Sequence, residues 1–99
     1  MAKIIVKKSD NKVILCTENT ETITIDSTSC VVTSSDGNIE LTGVNSTTHD
    51  VYEDVSEPTK FWGQCFTYID GNWAIDTDYV NYLNSIRTRN GQETLEVEL

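Results

Sequence analysis

The chain has 99 residues, which corresponds to a single domain spanning residues 1–99. Its 16 acidic residues outnumber its seven Lys and Arg residues, giving a net charge of −9. Binding to nucleic acid or to an anionic membrane surface needs clustered Lys and Arg, so this balance disfavours both.

The first part of the chain has the composition and the alternation of antiparallel strands. Ser, Thr and Asn supply about 30 residues and Ala only two, which favours strands with polar outer faces over helices. In "KIIVKKSDNKVILC" the apolar runs Ile4–Val6 and Val13–Leu15 flank the turn-forming residues "SDNK". This pattern predicts an N-terminal hairpin.

Further strands follow at short spacing. Ile23 and Ile25 alternate with Thr and share one face, and Cys30–Val32 form the next apolar run. The turn "SSDGN" precedes a strand on which Ile39 and Leu41 alternate. The first half therefore predicts four or five antiparallel strands in a meander or a small sandwich.

The middle of the chain is less regular and ends in an aromatic cluster. Val51, Tyr52 and Val55 predict a short edge strand, and Pro58 marks a loop. "FWGQCFTYI" and "WAI" then flank the turn "DGN" and predict a second hairpin. We expect Phe66 and Trp73 in the core, whereas Trp62, between a loop and a glycine, is compatible with either burial or exposure.

One helix is predicted over residues 77–89, in "DTDYVNYLNSIRTRNG". Asp76 or Thr77 suits its N-cap, and Gly91 suits a left-handed C-terminal cap. Tyr79, Leu83 and Ile86 form one apolar stripe that should pack on the sheet. The final segment alternates too, which predicts a terminal strand that pairs with the chain's own sheet or with a neighbouring subunit. Its apolar face carries Leu95, Val97 and Leu99.

The sequence predicts no catalytic residue, no cofactor and no metal site, and hence a non-enzymatic protein. His49 lies in "STTHD" without a nucleophile motif, so we expect an exposed loop histidine. Asp70, Asp76 and Asp78 are explained by a turn and a helix start, and their spacing does not match a calcium-binding loop. The three cysteines form no CxxC pair, and no apolar N-terminal signal run is present. We therefore expect synthesis in the cytoplasm, with free thiols in the core.

Two motifs resemble small virion proteins of tailed bacteriophages. Those proteins often begin with a "KxIVxKSDNxVI"-like hairpin and carry a "YxDGxW…NPDY"-like turn near their end. This chain reads "KIIVKKSDNKVI" and "CFTYIDGNWAIDTDY", without the proline. The resemblance covers about a third of the chain, and no functional residue is carried over from it. It implies a structural component of a particle, of the decoration, head–tail, tail or fibre-attachment type.

The leading hypothesis is a structural or assembly component of a phage virion that binds copies of itself or other virion proteins. The N-terminal strand (residues 3–8) and the C-terminal strand (residues 95–99) would add to neighbouring sheets, and removing residues 93–99 would weaken assembly but leave the fold intact. The alternative is a small acidic inhibitor or decoy that binds a basic host or defence protein. The interface candidates are Trp62, Leu95, Val97, Leu99 and an acidic stretch made of Asp50, Glu53, Asp54 and Glu57.

Overall fold

A computed structural model describes residues 1–99, and the fold is mainly β with one C-terminal helix. It contains eight strands and one helix in the order β1 (Ala2–Lys7), β2 (Val13–Glu18), β3 (Thr22–Ile25), β4 (Cys30–Ser34), β5 (Gly37–Glu40), β6 (His49–Val55), β7 (Phe66–Ile69), β8 (Asn72–Ile75) and α1 (Thr77–Arg89). The fold class and the helix bounds predicted from the sequence are confirmed. α1 is neither long nor apolar enough to cross a bilayer.

The strands form three antiparallel sheets. The central sheet has the order β2-β1-β6, a second sheet has the order β3-β4-β5, and β7 and β8 form a separate hairpin. The N-terminal hairpin is confirmed, but β6 returns to pair with the far side of β1, so the first half is not a continuous meander. β1 is therefore a central strand, and the expectation that residues 3–8 add to a neighbouring sheet is wrong.

The central sheet is covered on both faces, which explains the unbroken apolar run at its start. Ala2, Ile4 and Val6 face a main core that includes the fully buried Phe66. Ile5 faces the other way, into a smaller core shared with the second sheet. A strand buried on both sides needs apolar residues at successive positions, because neighbouring side chains point to opposite faces. The architecture is thus a two-sheet sandwich with the β7–β8 hairpin and α1 on the outer face of its central sheet.

The β7–β8 hairpin owes its tight turn to two residues with left-handed backbone conformations. Ile69 pairs with Asn72, so only Asp70 and Gly71 form the loop. Their φ angles are 51° and 83°. Positive φ at both positions is the geometry that matches the twist of a two-residue hairpin, and Asp-Gly is a preferred sequence for it. Residues 61–65, which precede this hairpin, are not a strand as predicted but a bent segment that returns to β2.

Both ends of α1 are capped as the sequence indicates. The side chain of Asp76 accepts a hydrogen bond from the backbone N–H of Tyr79. At the other end Gly91 has a φ of 73°, and its N–H and that of Gln92 donate to the carbonyls of Thr88 and Arg87. This pair of bonds is the Schellman arrangement, which satisfies carbonyls that have no partner within the helix. Tyr79 and Leu83 pack on the main core as expected, although both remain half-buried. Ile86, the third residue of the predicted stripe, is also half-buried but does not pack on that core.

The C-terminal segment is not the predicted strand. It makes one isolated bridge, between Glu98 and Lys60, and no ladder. Leu95 instead enters the main core, and its backbone N–H donates to Oδ1 of Asn84 on α1 at 2.6 Å. Because Leu95 is part of the main core, we expect removal of this segment to destabilise the fold, in contrast to the prediction from the sequence.

Candidate protein-binding groove

The principal concave surface lies beside β2, between the two sheets of the sandwich. It encloses about 620 Å³. An adjoining depression of about 260 Å³ shares several lining residues with it, so the two form one groove. β2, the β2–β3 turn, the β4–β5 hairpin and Glu57 surround it. Its lining includes Cys16, Glu18, Glu21, Asp36, Ile39 and Glu57.

One wall of the groove is the outer edge of β2. At its start this edge is closed, since the carbonyl of Val13 accepts a hydrogen bond from the N–H of Gln64 at 2.8 Å. From Leu15 to Thr17 the backbone of β2 bonds only to β1. Alternate residues of an antiparallel strand point their N–H and C=O groups away from the paired neighbour. The groove therefore exposes backbone donors and acceptors that can pair with another strand.

The floor of the groove is the inner face of the second sheet, and part of it is uncovered. Ile39 is paired with Val32, so both side chains lie on the same face of that sheet. Val32 is only 8% exposed, whereas Ile39 is 63% exposed. Ile39 lines the depression beside Leu15 and Thr17 of β2, and nothing in the chain covers it. The alternation of Ile39 and Leu41 thus assigned the correct face, but it gave no sign that Ile39 lacks a covering neighbour.

Four carboxylates surround the groove: Glu18, Glu21, Asp36 and Glu57. None of them belongs to the four ion pairs of the structure, which involve Lys3, Lys8, Lys12 and Lys60. The nearest ammonium is that of Lys3, whose Nζ donates to the backbone carbonyl of Glu21 at 2.7 Å. Four carboxylates against this one lysine leave the groove with an excess of negative charge.

The acidic stretch predicted as a docking patch is divided by the fold. Asp50 pairs with Lys8 and Glu53 with Lys3, each at 3.7 Å. The carboxylate of Asp54 accepts a hydrogen bond from the amide of Asn19 at 2.6 Å. Of the stretch, Glu57 is the residue that lines the groove. The other three lie along β6. Lysines partly balance the charges of Asp50 and Glu53, whereas the hydrogen-bond donor to Asp54 is a neutral amide.

The other predicted interface residues do not line the groove. Trp62 is 48% exposed and lies against the guanidinium of Arg87, whose Cζ is 5.8 Å from the ring centroid. This settles the open choice for Trp62 in favour of exposure. Leu95 is buried in the main core and Val97 packs against it, whereas Leu99 is exposed. The aromatic core centres on Phe66, and the indole Nε1 of Trp73 is buried there without a hydrogen-bond partner.

His49 is not the exposed loop residue that the sequence suggested. It is the first residue of β6, opposite Lys7 of β1, and it is 7% exposed. Burial, with a further contribution from Lys7, lowers the pKa of its imidazole below the usual value. The polar stretch "STTHD" suggested a loop, but the turn is confined to the residues before His49. There the side chain of Asn45 accepts hydrogen bonds from the N–H groups of Thr47 and Thr48. β6 then begins immediately.

The cysteines and the aspartates of the helix start have local roles. Cys30 and Cys65 are buried as expected, and Cys16 is half-buried at the groove. Burial and the nearby Glu57 raise the pKa of the Cys16 thiol, so it stays protonated near neutral pH. The carboxylate of Asp76 lies 2.6 Å from Nζ of Lys12 while it caps α1.

Sequence reasoning missed Glu18, Glu21, Asp36 and Ile39 as members of one site. They come from separate turns and strands, and only the packing of the two sheets brings them to Glu57. Comparisons with protein-family models, with curated proteins and with solved structures found no match to this chain. The groove must therefore be interpreted from its own chemistry.

Proposed function

We propose that this protein is a non-enzymatic assembly component of a tailed-phage virion, which binds a protein partner at a free sheet edge. The observation that carries the binding role is the groove beside β2, where unpaired strand backbone lies next to the uncovered side chain of Ile39. Exposed edges of this kind are the usual docking points for an added strand.

The virion context rests on the two phage-like motifs, and the fold gives both a structural use. "KIIVKKSDNKVI" supplies the central β1–β2 hairpin, and "YIDGNWAIDTDY" supplies the β7–β8 turn and the cap of α1. Location in the particle, after synthesis in the host cytoplasm, belongs to the same proposal. The partner is another virion protein or a second copy of the chain.

The proposal is tested by the composition of purified particles. Mass spectrometry of particles made by the phage that encodes this chain should detect the protein at a fixed ratio to the major capsid or tail protein. A chain that is abundant in infected cells but absent from washed particles would refute the virion role.

A second candidate is an acidic inhibitor or decoy that binds a basic host or defence protein. The observation that favours it is the set of four carboxylates without ion pairs at the groove. Electrostatic steering would make its association rate fall steeply with salt. Reversing the charges of Glu18, Glu21, Asp36 and Glu57 should abolish capture of such a target. Capture that survives reversal would exclude this candidate.

A further inference from the structure

The sandwich is one strand short on the side of β2. Ile39 lies on the inner face of the second sheet, next to the edge strand β2 of the central sheet, but it contacts solvent. In a complete sandwich the inner faces of both sheets are covered, because side chains from the two sheets interdigitate. A fourth strand beside β2 would lie over Ile39 and would use the free backbone groups between Leu15 and Thr17.

The two faces of β2 dictate the pattern of such a strand. Leu15 packs towards the second sheet, whereas Cys16 packs towards the main core. An added strand continues the alternation of its neighbour. One set of its side chains would therefore lie over Ile39 and should be apolar. The other set would point to the side of Glu18 and Glu57 and should be basic.

The charge of the groove argues against a second copy of this chain as the occupant. A copy would bring a further net charge of −9 to a groove that already holds four unpaired carboxylates. The apolar and basic segment Ala2–Lys7 is the central strand β1 and is paired on both sides. The C-terminal segment carries Glu93, Glu96 and Glu98, which would face like charge.

We propose that the groove binds an extended basic segment of a different protein, which pairs with β2 as a fourth strand and alternates apolar with Lys or Arg side chains. This inference deepens the proposed function, since it names the chemistry of the partner at the same groove. It selects the hetero-partner over self-association.

A synthetic peptide tests the proposal directly. The probe is acetyl-Lys-Val-Lys-Val-Lys-Val-amide, titrated into the ¹⁵N-labelled full chain while amide shifts are followed by NMR. We expect saturable shifts at Leu15–Glu18 and at Ile39, and a dissociation constant of about 1 mM or tighter. Raising NaCl from about 50 to 500 mM should weaken binding about tenfold or more, because salt shortens the range of the charge interactions. No shift at millimolar peptide, or shifts confined to another surface, would overturn the proposal.

Two further peptides separate strand pairing from simple charge attraction. Replacing the three lysines by glutamates should abolish binding. N-methylation of one set of alternate amides should also abolish it, while methylation of the other set leaves it intact, because only one set can face β2. Equal binding of the acidic peptide, or of both methylated peptides, would refute the basic strand.

Matched variants of the protein complete the test. Ile39→Ser should weaken peptide binding about tenfold, whereas Ile69→Ser, at a strand isoleucine that is 49% exposed and outside the groove, should not change it. The double variant Asp36→Asn/Glu57→Gln should weaken peptide binding several-fold. The control Asp50→Asn, which removes a charge on β6 outside the groove, should not change peptide binding. Equal effects of Ile39→Ser and Ile69→Ser would count against the groove.

The outcome is independent of the particle experiment. A chain found in particles whose groove ignores the basic peptide would keep the virion role and refute the basic strand. Conversely, peptide binding by a chain that is absent from particles would support the basic strand and refute the virion role.

Discussion

The interaction between Lys12 and Asp76 should make a measurable and pH-dependent contribution to stability. Nζ of Lys12 lies 2.6 Å from Oδ2 of Asp76, and the other carboxylate oxygen caps α1 through the N–H of Tyr79 at 3.0 Å. Lys12 also donates to the carbonyl of Gln64 and lies over the ring of Tyr79. One carboxylate thus connects the β1–β2 hairpin to the start of the helix.

Two substitutions separate the cap from the ion pair. Asp76→Asn keeps a side-chain oxygen that can cap the helix but removes the charge, whereas Asp76→Ala removes both. The two side chains are 14% and 26% exposed, so solvent screens this pair less than a surface pair. A charge-assisted hydrogen bond contributes about 1.5–3 kcal/mol when its partners are shielded, and we take about 1–2 kcal/mol for this partly exposed pair, because solvent weakens it. An N-cap contributes about 1 kcal/mol.

We therefore expect Asp76→Asn to lower the free energy of unfolding by about 1–2 kcal/mol and Asp76→Ala by about 2–3 kcal/mol. Urea unfolding followed by tryptophan fluorescence measures both. With a slope of about 1.5 kcal/mol per molar urea, the midpoint for Asp76→Asn should fall by roughly 1 M. Glu96→Gln is the control, because the Lys60–Glu96 pair is as short, at 2.7 Å, but exposed. Its midpoint should not move measurably.

The pH dependence gives a second test of the same reasoning. The hydrogen bond from Lys12, then that from the Tyr79 N–H, lowers the pKa of Asp76 in the folded state. The unfolded chain binds this proton more readily, with a pKa of about 3.9. The stabilisation is thus complete above that pH and is lost as the pH falls through the lower folded value. The difference in the free energy of unfolding between wild type and Asp76→Asn should therefore shrink in this acidic range. Equal midpoints at pH 7, or a gap that persists in acid, would refute the assignment.

Three further predictions concern the termini, the histidine and the hairpin turn. Leu95→Ala should lower the free energy of unfolding by about 2–3 kcal/mol, since Leu95 closes the main core at 9% exposure; no loss in urea unfolding would mean that the C-terminal segment is not docked. The single histidine signal in an NMR titration should give a pKa for His49 below the usual 6.5, because burial disfavours the imidazolium. Stability should then fall as the pH drops below about 6.5, where the unfolded chain takes up the proton first, and this slope should be absent in His49→Gln. Gly71→Ala should lower the free energy of unfolding by about 1 kcal/mol, because alanine is strained at the φ of 83°. Asp70→Gly should leave it nearly unchanged, and thermal unfolding measures both. Equal effects would mean that the turn is not of the expected type.

The local elements were readable from the sequence because their causes are local. The Asp-Gly pair at residues 70 and 71 fixes the hairpin turn through its backbone preferences. Asp76 and Gly91 bracket α1 because each satisfies backbone groups at one helix end.

The predictions that the structure corrected concern features set by contacts between segments that are distant in the sequence. The alternation of Leu95 and Val97 fits a strand, but α1 and the main core offer Leu95 a better site than a sheet edge does. β1 was expected to be a terminal edge strand, yet the return of β6 makes it central. A period-2 pattern reports which side chains share a face, and it does not report what covers that face.

The sequence by itself determined the β-rich class, the hairpin turns, the capped helix and the excess of acidic residues, since these follow from backbone preference, periodicity and composition. Only the tertiary structure decided which carboxylates have no ion pair and which apolar side chain is left exposed. Lysines partly neutralise Asp50 and Glu53 on β6, while the carboxylates of Glu18, Glu21, Asp36 and Glu57 line the groove without an ion pair. The physical reason is that charge balance and burial depend on distances between segments, and those distances are set by how the two sheets pack.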